Sequence, residues 1–158
     1  MNLTLPKTDD PLIANHVEGM RFRANIEGLL KRVREGNPEL KGLLKSKAEY
    51  ERYDKLGETW LGLYNKDTQP FLYIGIQLTD HDKPRYEMFV QVAWPNRPSE
   101  KAKMEDAVKR TFESCIDPDP SPYLVLRRPI RPDYDGEPEK MVEWLGQAGV
   151  EVSKYFTK

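Results

Sequence analysis

The sequence is poor in the residues that most often carry chemistry. A single cysteine, Cys115, stands among 158 residues, which excludes an internal disulfide framework and a cysteine-based zinc cluster. It recurs in step with apolar neighbours at helical spacing and is expected as a buried thiol. Two histidines occur, His16 and His81. His16 lies one helical turn before Met20, and His81 stands between Asp80 and Asp82 at a hairpin tip, where adjacent side chains point apart and chelate poorly. No segment matches GxxxxGK or GxGxxG, so a phosphate-cradling glycine loop is absent. Ser46, Ser99, Ser114, Ser121 and Ser153 lack the strand-to-helix elbow of a serine hydrolase. No apolar run has the length to span a bilayer, and Met1 to Pro11 shows neither a basic leader nor a signal-peptide core. The expectation is a cytoplasmic chain with no membrane contact, no cofactor and no metal. Charge of one sign is also missing: 25 basic against 26 acidic residues leave a formal charge of −1, so no global field draws the chain to nucleic acid.

What the chain does have is alternation. Within Thr59 to Trp94, the runs TWLGLYN, FLYIGIQLTD and RYEMFVQVAW place apolar residues at every second position, and KDTQP and HDKP between them supply turn residues. These predict a three-stranded antiparallel meander. A first loop over residues 65–70 sets Tyr64 opposite Phe71, Gly62 opposite Tyr73 and Trp60 opposite Gly75. A second loop over residues 81–83 sets Ile76 opposite Met88 and Ile74 opposite Val90. One face is then aliphatic. The other mixes Trp60, Tyr64, Phe71, Tyr73 and Phe89 with Gln77, Glu87 and Gln91, with Gly62 and Gly75 leaving room for the rings. Such a face either stacks unpaired bases or lies beneath covering helices, and alternation leaves both open.

Helical spacing surrounds the meander. Asp10 and Pro11 cap a first helix whose stripe is Ile13, Val17, Met20 and Ala24, then Ile26, Leu30 and Val33, ending at Gly36. Asn37 and Pro38 repeat the signal and predict a second helix towards Tyr53. A third, from Ser99 to Ile116, carries Met104, Val108, Phe112 and Cys115 and is expected to pack on the aliphatic face. YLVLRRPI, residues 123–130, reads as a fourth strand, with Pro129 placing it at an edge or standing close to its end. A last helix from Pro138 to Phe156 uses Met141, Leu145, Ala148 and Val152, with Trp144 beside the stripe. The expected fold is a single α+β domain over residues 1–158, in the order α-α-β-β-β-α-β-α. Residues 1–58 form a helical region packed on, or extending from, a core over 59–158.

That order resembles the core of the PD-(D/E)xK nuclease-like superfamily. The resemblance implies an acid on the second strand and an acid-x-lysine on the third, holding a divalent metal. The nearest positions are Asp80 and Glu87, but Glu87 is followed by Met88 and Phe89, and Lys83 lies in the loop. The order is also similar to that of small type III secretion chaperones, which bind extended partner segments as dimers. The leading expectation is a non-catalytic nucleic-acid-associated module on a degenerate nuclease-like core, with Arg21, Arg23, Lys31, Arg32, Arg34, Arg127, Arg128 and Arg131 as phosphate contacts. The alternative is a protein-interaction module, compatible with a homodimer, that uses the sheet edge or the aromatic residues Trp60, Tyr64, Tyr73 and Phe89. A third reading is a metal-dependent nuclease. Incubation with DNA and magnesium or manganese tests that third reading: no cleavage is expected, and cleavage abolished by Glu87→Ala would establish it.

Overall fold

Period-two alternation becomes a five-stranded antiparallel sheet in the computed structural model, which describes residues 17–53, 58–65, 71–79, 85–93, 102–103, 105–106, 109–110, 123–130 and 138–154. The described elements are α1 (Val17–Glu35), α2 (Pro38–Leu43), β1 (Glu49–Tyr53), β2 (Glu58–Tyr64), β3 (Phe71–Thr79), β4 (Arg85–Ala93), β5 (Tyr123–Ile130) and α3 (Pro138–Ser153). Strands follow one another across the sheet in the order β1-β2-β3-β4-β5. The α+β class is therefore observed, with one strand more than expected. Among the described residues β5 is an edge strand, and Pro129 stands next to its end. Helical backbone also occurs at Ala102, Lys103, Glu105, Asp106, Lys109 and Arg110.

On one side, Leu61, Leu63, Leu72, Ile74, Ile76, Leu78, Met88, Val90, Val92 and Leu126 form the aliphatic face, and all are buried. α1 and α3 cover this face, whereas the apolar stripe of the third predicted helix, expected to pack there, lies outside the described residues. α1 lies against β2, α3 lies against β3 and β4, and the two helices touch each other. The cause is the strength of their stripes. Phe22, Ile26, Leu29, Leu30 and Val33 of α1 are buried, as are Met141, Trp144, Leu145, Ala148 and Val152 of α3. Full burial of each Val, Leu, Ile, Phe or Met among them stabilises the fold by roughly 1.5–3 kcal/mol. The expected α1 stripe needs correction: Met20 is 61% exposed, Ala24 is exposed too, and Phe22 takes the core position, edge-on to Tyr86 at 5.3 Å between ring centroids. Asp10, Pro11, Ile13, His16 and the stripe residues Met104, Val108, Phe112 and Cys115 lie outside the described residues.

The junction of α1 and α2 uses Asn37 twice. Its side-chain Nδ2 donates to the Val33 carbonyl at 2.7 Å, closing α1, while its own carbonyl accepts from Leu40 and Lys41 at 3.0 and 2.9 Å to start α2. Pro38 follows at the first helical turn, where a missing amide hydrogen does no harm. α2 then stops at Leu43, not near Tyr53. Arg34 holds its end by donating to the carbonyls of Leu44 at 3.1 Å and Lys41 at 3.3 Å. The following EYERY alternates with period two and pairs with β2 through all five residues. The expected helical region over residues 1–58 thus contains a strand of the sheet.

The β3–β4 register is the expected one, with Ile76 opposite Met88 and Ile74 opposite Val90. The β2–β3 register differs by two residues: Tyr64 faces Tyr73, Gly62 faces Gly75 and Trp60 faces Gln77. An even shift preserves the faces. Its cause is Asn65, which behaves as a strand residue, donating its N–H to the Leu72 carbonyl and accepting the Leu72 N–H on its side-chain oxygen, both at 3.0 Å. Pairing of two glycines also lets β2 and β3 approach closely: a Cβ on Gly75 would strike the Leu61 carbonyl oxygen and lie 2.6 Å from Gly62 Cα. Gly75→Ala is therefore expected to destabilise the protein by about 3 kcal/mol, whereas Gly28→Ala, with nothing within 4 Å of the added carbon, should stabilise it by about 0.8 kcal/mol. Urea unfolding of both variants checks the pair.

Candidate functional site

Above the glycine pair, the aromatic rings of the mixed face pack against one another. Tyr64 and Tyr73 stack at 3.9 Å between centroids, inclined by 11°, and Trp60 lies 5.7 Å from Tyr73 on its other side. Phe89 meets Tyr73 edge-on at 4.7 Å and Trp60 at 4.8 Å. The outcome divides the two readings of this face by position. Tyr73 and Phe89, at 2% and 0% exposure, form with Val125 a second buried cluster, while Trp60, Tyr64 and Phe71 are half-buried at its margin. The rings fill the space that Gly62 and Gly75 leave.

A polar row crosses the same face. Glu51, Trp60, Gln77 and Glu87 stand side by side on β1 to β4. Gln77 Nε2 donates to Glu87 Oε2 at 2.9 Å, and Arg127 Nη1 lies 3.7 Å from the same oxygen. Trp60 Nε1 donates to Glu58 Oε2 at 3.1 Å, and the Tyr64 hydroxyl donates to Glu51 Oε1. Burial, and next the neighbouring Glu49 carboxylate, push the Glu51 pKa upward. Lys45 pairs with Glu49 at 3.4 Å. The β1 side of this face is consequently acidic, and on its other face β1 is fixed by Tyr50, whose ring carries the Arg23 guanidinium 5.2 Å from its centroid.

The expected phosphate contacts are scattered across this framework. Arg34 caps α2, and Arg23 is shared between Glu27, at 3.2 Å, and the Tyr50 ring. Arg32 reaches Glu139 at 3.6 Å, while Arg21 and Lys31 are exposed on different sides of α1. Arg127 faces Glu87 on the aromatic side of β5, its neighbour Arg128 is exposed in register with Met88 on the opposite side, and Arg131 lies outside the described residues. Of the two nuclease-like acids, Glu87 is engaged by Gln77 and Arg127 and Asp80 lies outside the described residues, as does His81. Among the described residues no three His, Cys, Asp or Glu side chains are grouped to hold a metal. None of the described helices is long and apolar enough to cross a membrane.

Sequence reasoning missed β1 and its carboxylates Glu49 and Glu51. The signal was available in EYERY, where two tyrosines and strict alternation outweigh helix propensity. A concavity of about 520 Å³ lies between the α1–α2 junction and α3, lined by Arg32, Asn37, Val142, Glu143, Gly146 and Glu151 among others. Its charges are already partnered: Arg32 with Glu139, Glu151 with Lys154 at 2.7 Å, and Glu143 with Gln147 at 3.2 Å. No family model, curated protein or solved structure matches the chain.

The raised Glu51 pKa has a definite consequence for stability. Between the ordinary carboxylate range and the raised value, the folded chain binds more protons than the unfolded chain, so this group's contribution falls as pH rises through that window. Glu51→Gln removes the charge and keeps an acceptor for the Tyr64 hydroxyl. The variant is expected to be more stable than the parent at neutral pH, with the difference closing as pH falls below the ordinary carboxylate range. Denaturant midpoints measured across that range check the sign.

Proposed function

We propose that the chain is a non-catalytic protein-interaction module that captures an extended partner segment along the outer edge of β1. The observation that carries this reading is the state of that strand. Among the described residues β2 is its only strand neighbour, and its register runs from Glu49 opposite Gly62 to Tyr53 opposite Glu58 without a bulge. It contains no proline. β1 is short and charged but carries neither a bulge nor a proline, and among the described residues no second strand pairs with its outer side, which supports its use as a template for strand addition. β5 differs, because Pro129 interrupts its capacity to pair outward.

A second reading, nucleic-acid association, draws support from the exposed Arg21, Arg32 and Lys31 of α1 and from Arg128. Arg21 and Arg32 are three helical turns apart on one side of α1, about 16 Å along its axis. Arg128 is on β5, three strands beyond the β2 that α1 covers, or about 14 Å across the sheet. The spread favours weak, sequence-independent phosphate contact over a single groove.

Amide hydrogen exchange distinguishes the readings. Extended peptides selected from a random display library against the whole chain are expected to slow exchange across residues 49–53; protection confined to α1 and α3 would overturn the edge reading. Oligonucleotide binding at low and moderate salt tests the second: weak binding is expected, and tight binding that falls steeply with salt would replace the first reading with the second.

A further inference from the structure

We infer that the concavity between the α1–α2 junction and α3 binds a small organic cation with an apolar body, of the arylalkylammonium kind. It does not involve β1, so it is independent of the edge-capture reading. The concavity is built around a residue without a side chain. A Cβ on Gly146 would lie 2.8 Å from Asn37 Nδ2, so the Asn37 carboxamide rests against the backbone of α3 at that point. Asn37 is itself held by its bond to the Val33 carbonyl. One helical turn to either side of Gly146, on the same strip of α3, stand Val142 and Val150. Both are packed against the core yet only half-buried, and both line the concavity. They give it an apolar floor, and covering them removes apolar surface from water. The floor runs from Val142 to Glu151, about 13 Å along the helix axis. A volume of about 520 Å³ is in the range of clefts that enclose small ligands. A docked helix, about 10 Å across with its side chains, requires a longer and wider groove.

The sign of the ligand's charge follows from the rim. Arg32, Glu143 and Glu151 are the charged side chains that line the concavity. Arg32 and Glu151 have ionic partners outside it, Glu139 at 3.6 Å and Lys154 at 2.7 Å. Glu143 differs: among the described residues it accepts only the neutral Gln147 amide, at 3.2 Å. The charge left without a counterion is therefore negative. The end of α1 acts in the same direction, because Gly36 follows directly on a helix of 19 residues whose macrodipole presents its negative end there. Arg34, in the last turn of α1, is turned away to the carbonyls of Lys41 and Leu44. An ammonium group beside Glu143 thus meets an attractive potential. A carboxylate in the same place would depend on Arg32 alone, which Glu139 already shares.

The test titrates the full chain with phenylbutylammonium, phenylbutanol and phenylbutyrate, probes that share one apolar body and differ in charge. Amide NMR spectra give affinity and location together. The ammonium probe is expected to bind with a roughly millimolar dissociation constant and to shift the amides of Gly36, Asn37 and Gly146. It should bind about twofold to fivefold more tightly than the alcohol, with the carboxylate weakest. Glu143→Gln changes an exposed side chain and keeps a polar contact for Gln147. That variant should lose the preference for ammonium over alcohol and bind the alcohol as the parent does. Equal affinity for the three probes, or tightest binding of the carboxylate, overturns the assignment of a cation. A preference for ammonium that survives Glu143→Gln overturns it as well. Shifts confined to residues away from Gly36, Asn37 and Gly146, or no shifts with any probe well above the millimolar range, overturn the site itself.

Discussion

The contact on which most of this structure depends is the pairing of Gly62 with Gly75. Two residues without side chains meet at the centre of the sheet, and β2 and β3 come so close there that an added Cβ on either glycine would enter the backbone of the other strand. Four features follow from that approach. The glycine pair holds β2 and β3 close together in the register that Asn65 sets. Rings from neighbouring positions, Trp60, Tyr73 and Phe89, lean together over the glycines and bury one another. Tyr64 crosses the same gap to reach Glu51 two positions along, which ties β1 to the aromatic cluster. Opposite this cluster the central strands present mainly aliphatic side chains, with Tyr86 among them, and α1 and α3 close over them. A second close approach occurs in the helical layer, where a Cβ on Gly149 of α3 would lie 2.7 Å from Ile74 Cδ1 and 3.1 Å from Leu40 Cδ1, so α3 rests almost directly on the sheet.

How far the sequence discloses this arrangement depends on the kind of information each step requires. Alternation assigns side chains to faces, and it did so correctly for β2, β3 and β4. It determines strand alignment only to within an even number of residues, since a shift of two restores every face. The β2–β3 error was such a shift. What resolves it is the side chain of Asn65, which replaces a backbone acceptor in the ladder, a role indistinguishable in sequence from that of any loop asparagine. The β3–β4 alignment was legible because Ile74, Ile76, Val90 and Met88 match in only one compact way. Helices were legible where an apolar stripe continued for several turns, as in α3. Near the start of α1 the competing stripes through Met20 and Phe22 are similar in strength, and only the position of Tyr86 across the interface selects Phe22.

The candidate site was less legible than the fold. Arginines drew attention by their clustering along the chain, yet several have local tasks that sequence adjacency conceals. Arg34 completes the end of α2, Arg23 covers a ring on β1, and Arg127 balances Glu87. Consecutive residues on a strand point to opposite faces, so Arg127 and Arg128 cannot act as one patch. The acidic strand escaped notice for the complementary reason. EYERY carries three charges in five residues and follows a helix, and charge density of that kind suggests a solvated helical face. Only its pairing with β2 reveals that two of those charges share one side of a sheet edge.

A five-residue edge strand would fray if β2 were its only support. Here β1 is held on both faces. Arg23 lies over Tyr50 on the helical side, Tyr64 is bonded to Glu51 on the aromatic side, and Leu44 bridges to Asn65 just before the strand begins. The anchors bear on whether such an edge can bind anything. Ordering a backbone costs roughly 1–2 kcal/mol per residue, and an edge that had to be ordered together with its partner would carry that cost twice. With β1 already straight, only the incoming segment loses freedom, so modest gains from backbone pairing and from a few cross-strand contacts are sufficient. The same anchors explain how Glu51 remains in place despite the neighbouring Glu49: the Tyr64 bond and the surrounding rings hold the carboxylate where its charge is least welcome. Structural economy would be served equally well by a neutral side chain at that position, one able to accept the Tyr64 hydroxyl.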